Sequence, residues 1–345
     1  MVLRRLLALL VAVGLVLAAV AVRSRVFSDT PDAPDAAPLD ELRVVCAAEL
    51  ASVCEALRPS GVTPVVETAA STLARFAQRD HGVDVWVTVD PWHELAASAR
   101  SREGLPGVVA APGAVLARSP LVLAARRDRL EALDAVCRGG TVTWRCIGDR
   151  AGQRWADLDA PAGWGTVEVA FNQPAETAEG LLSLVQVTSA YFDGGAVTGQ
   201  ALRDPDYFAW LADLLQSVNQ VRAQTPLERM LLTGGADVEF TGVIAAAAQP
   251  LLRSAPARAE RIELRELEPQ VTADVRAIGY GATGEAAAEA ISSQLREPLA
   301  DNGWRAVDPA SPAPDPTADA AGSASRPSPA ALEALRQTWI EVFRG

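Results

Sequence analysis

VDVWVTVDPWHE, residues 83–94, begins as a continuous apolar run that contains a tryptophan, and the run stops at Asp90-Pro91. Such a run is typical of a strand buried on both faces. Because Asp is a preferred helix N-cap and Pro a preferred first helical residue, we expect the strand Val83–Val89 to turn directly into a helix. Open α/β sheets place their ligand crevice at such a corner. Asp90 is therefore a candidate ligand group, and the helix N-cap is the alternative role.

Strand-like and helical segments alternate on both sides of this stretch. Leu42–Cys46 and Val62–Val66 are short apolar strands, each followed by a helical pattern, and Thr141–Ile147 has the pattern of a later strand. Such alternation predicts parallel βαβ units. Val115–Ala125 is a longer strand interrupted by Ser119-Pro120, which indicates a sheet edge, a bend or a crossing between lobes. The alternation predicts an α/β fold in which Asp90 lies at the third strand-to-helix turn.

The residue inventory excludes several classes of function. The chain has 345 residues and a formal net charge of −12, which argues against nucleic acid or an anionic membrane surface as a partner. All 31 basic residues are arginine, so a Schiff-base or P-loop lysine is excluded. The only histidines are His81 and His93, and no G-x-S-x-G motif occurs. We predict no enzyme activity, no cofactor and no metal site.

The N-terminal residues 1–25 are predicted to be a signal peptide or an N-terminal membrane anchor. Two arginines precede the uncharged apolar run Leu6–Val22, and two more follow it closely. Residues 26–40 are rich in Pro, Asp and Ala and are predicted to be a linker. We expect an extracytoplasmic protein that is secreted or held at the cell membrane by its N-terminal segment.

Four cysteines occur as two close pairs, Cys46/Cys54 and Cys137/Cys146. Four cysteines permit three connectivities. Short loops favour a disulfide within each pair in an oxidising compartment. Neither spacing is typical of a metal site. In a cytosolic protein the same residues would be free thiols.

An ordered series of motifs resembles the type II periplasmic solute-binding proteins, nearest to the molybdate-type ABC-transporter binding proteins. The motifs are CAAEL at 46–50, ASTLARFAQRDHGVDVWVTVDPW at 70–92, LARSPLVLAA at 116–125, GGADVEF at 234–240 and AAAEAISSQLREPLADNGWRAV at 286–307. The resemblance implies a two-lobed α/β fold, each lobe a mainly parallel sheet flanked by helices, with a ligand cleft between the lobes. It implies capture of a small-molecule ligand for an ABC-type uptake system, with an ABC permease or another envelope protein as partner.

The resemblance also divides the chain into segments. Lobe 1 comprises 41–118 and 241–307, and lobe 2 comprises 119–240. Residues 308–327 are rich in Pro, Ala, Ser and Asp and are predicted to be a disordered linker. Residues 328–345 form a predicted amphipathic helix, whose apolar stripe must be buried on the main body or on a partner.

The candidate ligand-binding residues lie at the strand-to-helix turns, and they are Glu49, Ser71, Thr72, Asp90, Trp92, Gln173 and Glu176. Molybdate-type proteins hold their oxyanion with small hydroxyl residues where this chain has Glu49 and Ala70. A carboxylate repels an oxyanion and alanine supplies no donor, so we predict that molybdate, sulfate and phosphate do not bind. Glu49 and Asp90 suit a cationic or hydroxylated organic ligand, with Trp92 as an apolar or cation-π wall.

Other interpretations stay open. A degenerate ligand site on the same fold would make the chain an envelope-anchored interaction module, which an anchor and an amphipathic C-terminal helix would fit. His93 and Glu94 form either the acid/base pair of an exported enzyme or, since adjacent helical residues point apart, a solvated face. Gly279–Gly284 matches the dinucleotide motif G-x-G-x-x-G but lacks the downstream strand and helix pairs, which favours a glycine-rich strand-to-helix turn.

Overall fold

The computed structural model describes residues 41–108, 110–111, 113–218, 224–307 and 326–344. The strands are β1 Val44–Ala47, β2 Val65–Glu67, β3 Val85–Val89, β4 Ala110–Ala111, β5 Ala117–Arg126, β6 Val169–Ala170, β7 Phe240–Ile244, β8 Ile262–Arg265, β9 Thr272–Tyr280 and β10 Arg305–Ala306. The α-helices are α1 Ala51–Cys54, α2 Ala69–Phe76, α3 Trp92–Arg102, α4 Arg127–Val136, α5 Trp144–Arg150, α6 Ala178–Tyr191, α7 Pro205–Gln216, α8 Pro226–Thr233, α9 Ala245–Ser254, α10 Pro256–Ala259, α11 Gly281–Asp301 and α12 Pro329–Arg344. Short 3₁₀ segments are Ala48–Leu50, Glu55–Ser60, Arg138–Gly140, Trp155–Leu158, Ala162–Trp164 and Ala201–Arg203.

Strand β3 is buried along its whole length, as the apolar run predicts. β1 pairs with it in parallel on one side, and β9 pairs with it antiparallel on the other. Trp86 packs against Phe76 of α2, with 5.6 Å between the ring centroids. The indole adds a large apolar area to the core at the centre of the sheet.

The described strands form one mixed sheet in the order β2-β1-β3-β9-β5-β7-β6. β2, β1 and β3 are parallel, as the alternation of strands and helices predicts. The long strand β5 pairs with β9 through Ala117–Pro120 and with β7 through Leu121–Ala125, so it changes partner at the predicted break. We call the half of the sheet with β1–β3 the first lobe, and the half with β6–β8 the second lobe.

The chain returns from the second lobe to the first later than predicted. β7 and β8, within 240–265, pair with the second-lobe part of β5. The first lobe is rejoined only by β9, which pairs with β3. The predicted boundary at 241 is therefore too early, because the motif at 234–240 leads into a second-lobe strand and not into the crossing.

Thr141–Ile147, predicted as a strand, contains the start of helix α5. Thr143 has an extended backbone, and its hydroxyl accepts a hydrogen bond from Cys146 N–H at 3.1 Å, so it is the helix N-cap. Trp144 and Ile147 are both fully buried and lie one helical turn apart. The apolar run is too short to distinguish strand from helix by periodicity, and the cap decides in favour of the helix.

Gly279–Gly284 forms the junction between β9 and α11. A Cβ on Gly279 would lie 2.2 Å from the carbonyl oxygen of Gly284, and a Cβ on Gly284 would lie 2.2 Å from that of Asp84. Glycine at both positions lets the strand and helix backbones approach this closely. This packing supports the interpretation as a strand-to-helix turn.

The terminal predictions fall partly outside the described residues. The predicted N-terminal segments 1–25 and 26–40 lie outside them, as do residues 308–325 of the predicted linker. The end of that linker is part of the described structure, because Pro327 is buried and Arg326 binds Asp90. None of the helices in the described ranges has the length and hydrophobicity that a bilayer crossing requires.

Both disulfides favoured by loop length are present. Cys46–Cys54 joins β1 to α1 in the first lobe. Cys137–Cys146 joins the end of α4 to α5 in the second lobe. No described cysteine is free.

Replacing Cys137 and Cys146 together with serine should lower the free energy of unfolding by about 2–3 kcal/mol, because closing a loop of this length restricts the unfolded chain. Urea unfolding followed by circular dichroism measures the loss. As a control, dithiothreitol should destabilise the wild type more than the double variant, which retains only Cys46–Cys54. A double variant as stable as the oxidised wild type would contradict this prediction.

Candidate functional site

The two lobes meet where the first strands end. Glu49 lies in the 3₁₀ turn after β1, and Ala70 lies in the first turn of α2. The N-terminal end of α6, from the second lobe, faces both turns. Ala178 N–H donates to Glu49 Oε1 at 2.6 Å, and Ala70 N–H donates to Glu176 O at 3.2 Å. The lobes are therefore in direct hydrogen-bond contact.

Glu49 caps a helix that belongs to the other lobe. The first N–H groups of a helix lack partners within it and carry positive partial charge, so they favour a carboxylate. Thr177 is the local N-cap of α6 and accepts from Gly180 N–H, while Glu49 accepts from Ala178 N–H. Burial raises the pKa of Glu49, and the backbone N–H donors oppose that shift. The N-terminal end of α6 is suited to bind an anion, and the Glu49 carboxylate occupies that position.

A cavity of about 210 Å³ lies beside the contact between Glu49 and α6. Its polar lining residues are Glu49, Ser52, Asn172, Glu179, Thr225 and Asn302. The rest of its wall is apolar and comes from Trp304 and from residues of β7, α8 and α9. No arginine or histidine of the described chain lines this cavity, so Glu49 and Glu179 are its ionisable groups.

Glu179 is the second buried carboxylate of the cavity. Its Oε2 accepts from Ile244 N–H at 2.9 Å, and its Oε1 accepts from Asn172 Nδ2 at 3.1 Å. Burial raises the pKa of Glu179 to about 7; these two donors oppose the shift, and the negative charge of Glu49 adds to it. A Cβ on Gly180 would lie 1.6 Å from the carbonyl oxygen of Asn172, so glycine is needed for α6 to pack here. At neutral pH the protonated and ionised forms of this carboxyl group are therefore both populated.

Asp90 is the centre of an ion-pair cluster, and the prediction that it caps a helix is wrong. Pro91 occupies the N-cap position of α3. Asp90 Oδ2 accepts from Arg276 Nε at 2.8 Å and from Arg326 Nη2 at 2.7 Å, and His93 Nδ1 lies 2.7 Å from Oδ1. Burial alone would raise the pKa of Asp90, but His93 and the two arginine charges hold it well below its usual value.

Of the predicted ligand-binding residues, Glu49 alone lines the cavity. Trp92 is fully buried and does not reach this cavity, so it does not form the wall that the sequence predicts there. Thr72 is also buried, and its hydroxyl donates to Glu67 Oε1 at 2.9 Å. The Thr72 hydroxyl is therefore engaged within the first lobe.

The remaining predicted residues lie at the edge of the interlobe contact. Ser71 is exposed, and its N–H donates to Thr68 Oγ1, the N-cap of α2. Gln173 is partly exposed and Glu176 is exposed, and Glu176 takes part through its backbone carbonyl.

The adjacent His93 and Glu94 engage different partners. His93 faces Asp90, and Glu94 Oε1 lies 3.2 Å from Arg326 Nη2. The pair is thus neither a coupled acid/base dyad nor a freely solvated face.

Sequence reasoning missed Glu179 and Arg326. Glu179 is in a helix whose residues 178–190 are all buried, and a lone carboxylate in such an apolar segment was the available signal, since buried charge needs a partner. Arg326 follows a Pro- and Ala-rich stretch, and no local pattern marks it as a partner of Asp90.

Comparison with solved structures confirms the predicted fold class. Over 88% of this chain and 98% of the other, the fold is similar to a ferric binding protein from Campylobacter jejuni, with a TM-score of 0.56 and 9% identity. A periplasmic thiamin binding protein gives a TM-score of 0.54 with 13% identity, over 88% of this chain and 95% of that one. An ABC transporter structure from Clostridium perfringens gives a TM-score of 0.50 with 11% identity, over 88% of this chain and 99% of that one.

These likenesses show the two-lobed type II periplasmic-binding-protein fold, and they do not distinguish the narrower molybdate-type resemblance. No protein-family model and no curated protein matches the sequence. In the described ranges, no group of three or more His, Cys, Asp or Glu side chains is placed to hold a metal ion.

Replacing Glu179 with glutamine should change how stability depends on pH. The pKa of Glu179 is about 7 in the folded state and 4.5 without the fold. Between these two pH values the folded state therefore binds more protons than the unfolded state. Its contribution therefore destabilises the fold progressively as the pH rises from about 4.5 to 8. The wild type should lose about 3 kcal/mol more unfolding free energy than Glu179→Gln over that window.

Urea unfolding at a series of pH values measures this difference. Glu176→Gln is the matched control, because Glu176 is exposed and lies three residues away on the same segment. Parallel pH profiles for the wild type and Glu179→Gln would contradict the prediction.

Proposed function

We propose that the chain is an exported solute-binding protein that holds a small cationic or hydroxylated organic ligand between its lobes. One observation carries the proposal: Glu49 Oε2 is buried beside the cavity and has no hydrogen-bond partner among the described residues. A buried acceptor without a donor is costly, and a donor on a bound ligand would satisfy it.

The charge and size of the cavity narrow the class of ligand. Glu49 and Glu179 are the acidic groups of the cavity, and Glu179 adds a negative charge as the pH rises through about 7. No basic side chain of the described chain lines the cavity. This supports a ligand that carries a positive charge or several hydrogen-bond donors. The volume of about 210 Å³ is below the roughly 300–1,000 Å³ of ordinary ligand pockets, which favours a compact molecule.

The same contact supports the proposal that oxyanions are rejected. A helix N-terminus is an anion-binding group, and at α6 the Glu49 carboxylate already accepts from Ala178 N–H. An incoming molybdate, sulfate or phosphate would have to displace Glu49 and leave a buried carboxylate without that donor.

An extracytoplasmic location and an ABC-type permease as partner are part of the proposal. Their support is the fold, which is shared with the periplasmic and ABC-transporter proteins named above. The two disulfides fit an oxidising compartment. Binding, and not catalysis, is the role we assign, because His93 is engaged by Asp90 in an ion-pair cluster away from the cavity.

A second candidate is an envelope-anchored interaction module with a degenerate ligand site. The observation that favours it is the occupation of Asp90, a predicted ligand group, by Arg326 of the chain itself. In that case the lobes would serve as a fixed scaffold, and no small molecule would enter the cavity.

Isothermal titration against small amines, amino acids, polyols and oxyanions separates the two candidates. For the proposed function we expect saturable binding of an amine or polyol and none of sulfate, phosphate or molybdate. At a pH above the raised pKa of Glu179, Glu49→Gln and Glu179→Gln should each weaken binding of a cation about 10-fold or more, because each removes a charged hydrogen-bond acceptor.

Glu176→Gln is again the matched control and should bind as the wild type does. Tight oxyanion binding would contradict the proposed ligand class. If no compound of the panel binds while circular dichroism shows an intact fold, the interaction module is favoured.

A further inference from the structure

The Asp90 site is filled by a residue from the far end of the chain. Arg326 Nη2 lies 2.7 Å from Asp90 Oδ2 and 3.2 Å from Glu94 Oε1, so one guanidinium bridges two carboxylates. The Asp90 side chain is 5% exposed and that of Arg326 is 49% exposed. A deeply buried anion that is reached by a half-exposed cation differs from an ordinary surface ion pair, in which both partners are solvated.

The anion is positioned without the help of Arg326. Asp90 N–H donates to Asp274 O at 2.8 Å, which ties the end of β3 to β9. Arg276, also on β9, donates to Asp90 Oδ2 and to Gly113 O. Arg326, in contrast, lies on neither β3 nor β9, so it contacts Asp90 from a separate segment of the chain.

The segment that carries Arg326 continues into α12, which contacts both lobes. α12 packs on α3 of the first lobe and on α6 and α7 of the second. Trp339 is buried and meets Phe171 of the second lobe edge-to-face, with 6.0 Å between ring centroids. Glu333 lies 3.5 Å from Arg102 of α3. The helix thus contacts both lobes.

Arg326 belongs to the same chain as Asp90, and this covalent connection favours its binding to Asp90. Residues 308–325 connect the first lobe to Arg326. A tethered group has an effective concentration on the order of millimolar at its site, so a modest contact is kept filled. A guanidinium suits this partly buried contact better than an ammonium does, because it is more weakly hydrated and its Nη2 group alone reaches both carboxylates.

We propose that Asp90 and Glu94 form a guanidinium-selective site, and that the chain fills it with its own Arg326, so that the C-terminal helix is a tethered ligand that holds the two lobes together. This site is distinct from the cavity at Glu49 and Glu179, and the inference does not depend on the proposed function. Removal of the Arg326 side chain creates a vacancy for a free guanidinium compound and loosens α12.

The test is chemical rescue in the full chain. Arg326→Ala is titrated with ethylguanidinium chloride up to about 10 mM, where its denaturing effect is negligible, and with ethylammonium chloride at equal ionic strength. We expect a saturable rise in Tm of about 2 °C with ethylguanidinium alone. The wild type should not respond, because its site is filled. Asp90→Asn added to Arg326→Ala should abolish the response.

Arg336→Ala is the matched control, since Arg336 lies in α12 but bonds to Glu333 of the same helix. Arg326→Gln repeats the experiment with a longer polar side chain if the alanine variant does not fold. A wild type or Arg336→Ala that responds equally, or Arg326 variants that do not respond to ethylguanidinium, would overturn the guanidinium site. Hydrogen exchange in α12 should be about 10-fold faster in Arg326→Ala, and unchanged exchange would overturn the tethered-ligand role.

Discussion

A carboxylate that is taken out of water must find hydrogen-bond donors or positive charge, and the contact between the two lobes depends on how this protein meets that requirement at Glu49. The donor comes from the first turn of a helix in the opposite lobe, at Ala178 N–H. Neither lobe alone provides both parts of this contact. The same hydrogen bond joins the lobes and supplies a donor to a buried carboxylate, which links the stability of the interlobe contact to the protonation of Glu49.

The buried helix α6 transmits this contact through the second lobe. Its residues 178–190 are all buried, and its N-terminal end carries both the donor for Glu49 and the second carboxylate, Glu179. Farther along, Gln186 donates to the carbonyl oxygens of Leu267 and Pro269, just before β9 crosses back to the first lobe. One helix thus runs from the cavity to a crossing of the chain between the lobes.

The sequence was informative wherever local pattern determines structure. The apolar run Val83–Val89, the parallel order of the first three strands and the cysteine pairing all depend on neighbours close in the chain, and the structure has each of them. Thr141–Ile147 shows the limit of such patterns, because a short apolar run fits strand and helix equally until its cap is known.

The roles at the site depend on contacts that no local pattern encodes. Asp90 looks like a helix cap in its own segment, but its partners Arg276 and Arg326 are 186 and 236 residues away in sequence. Glu179 becomes a site residue only because the fold sets it beside Glu49. The sequence could therefore predict the fold and a single residue that lines the cavity, Glu49, while the charge partners required the tertiary structure.

The positions of the two disulfides have a mechanical consequence. Each closes a short loop within one lobe, and neither links one lobe to the other. Each disulfide therefore restrains only the short loop that it closes, and the backbone crosses between the lobes within β5 and just before β9. The disulfides therefore place no direct covalent restraint on the arrangement of one lobe relative to the other.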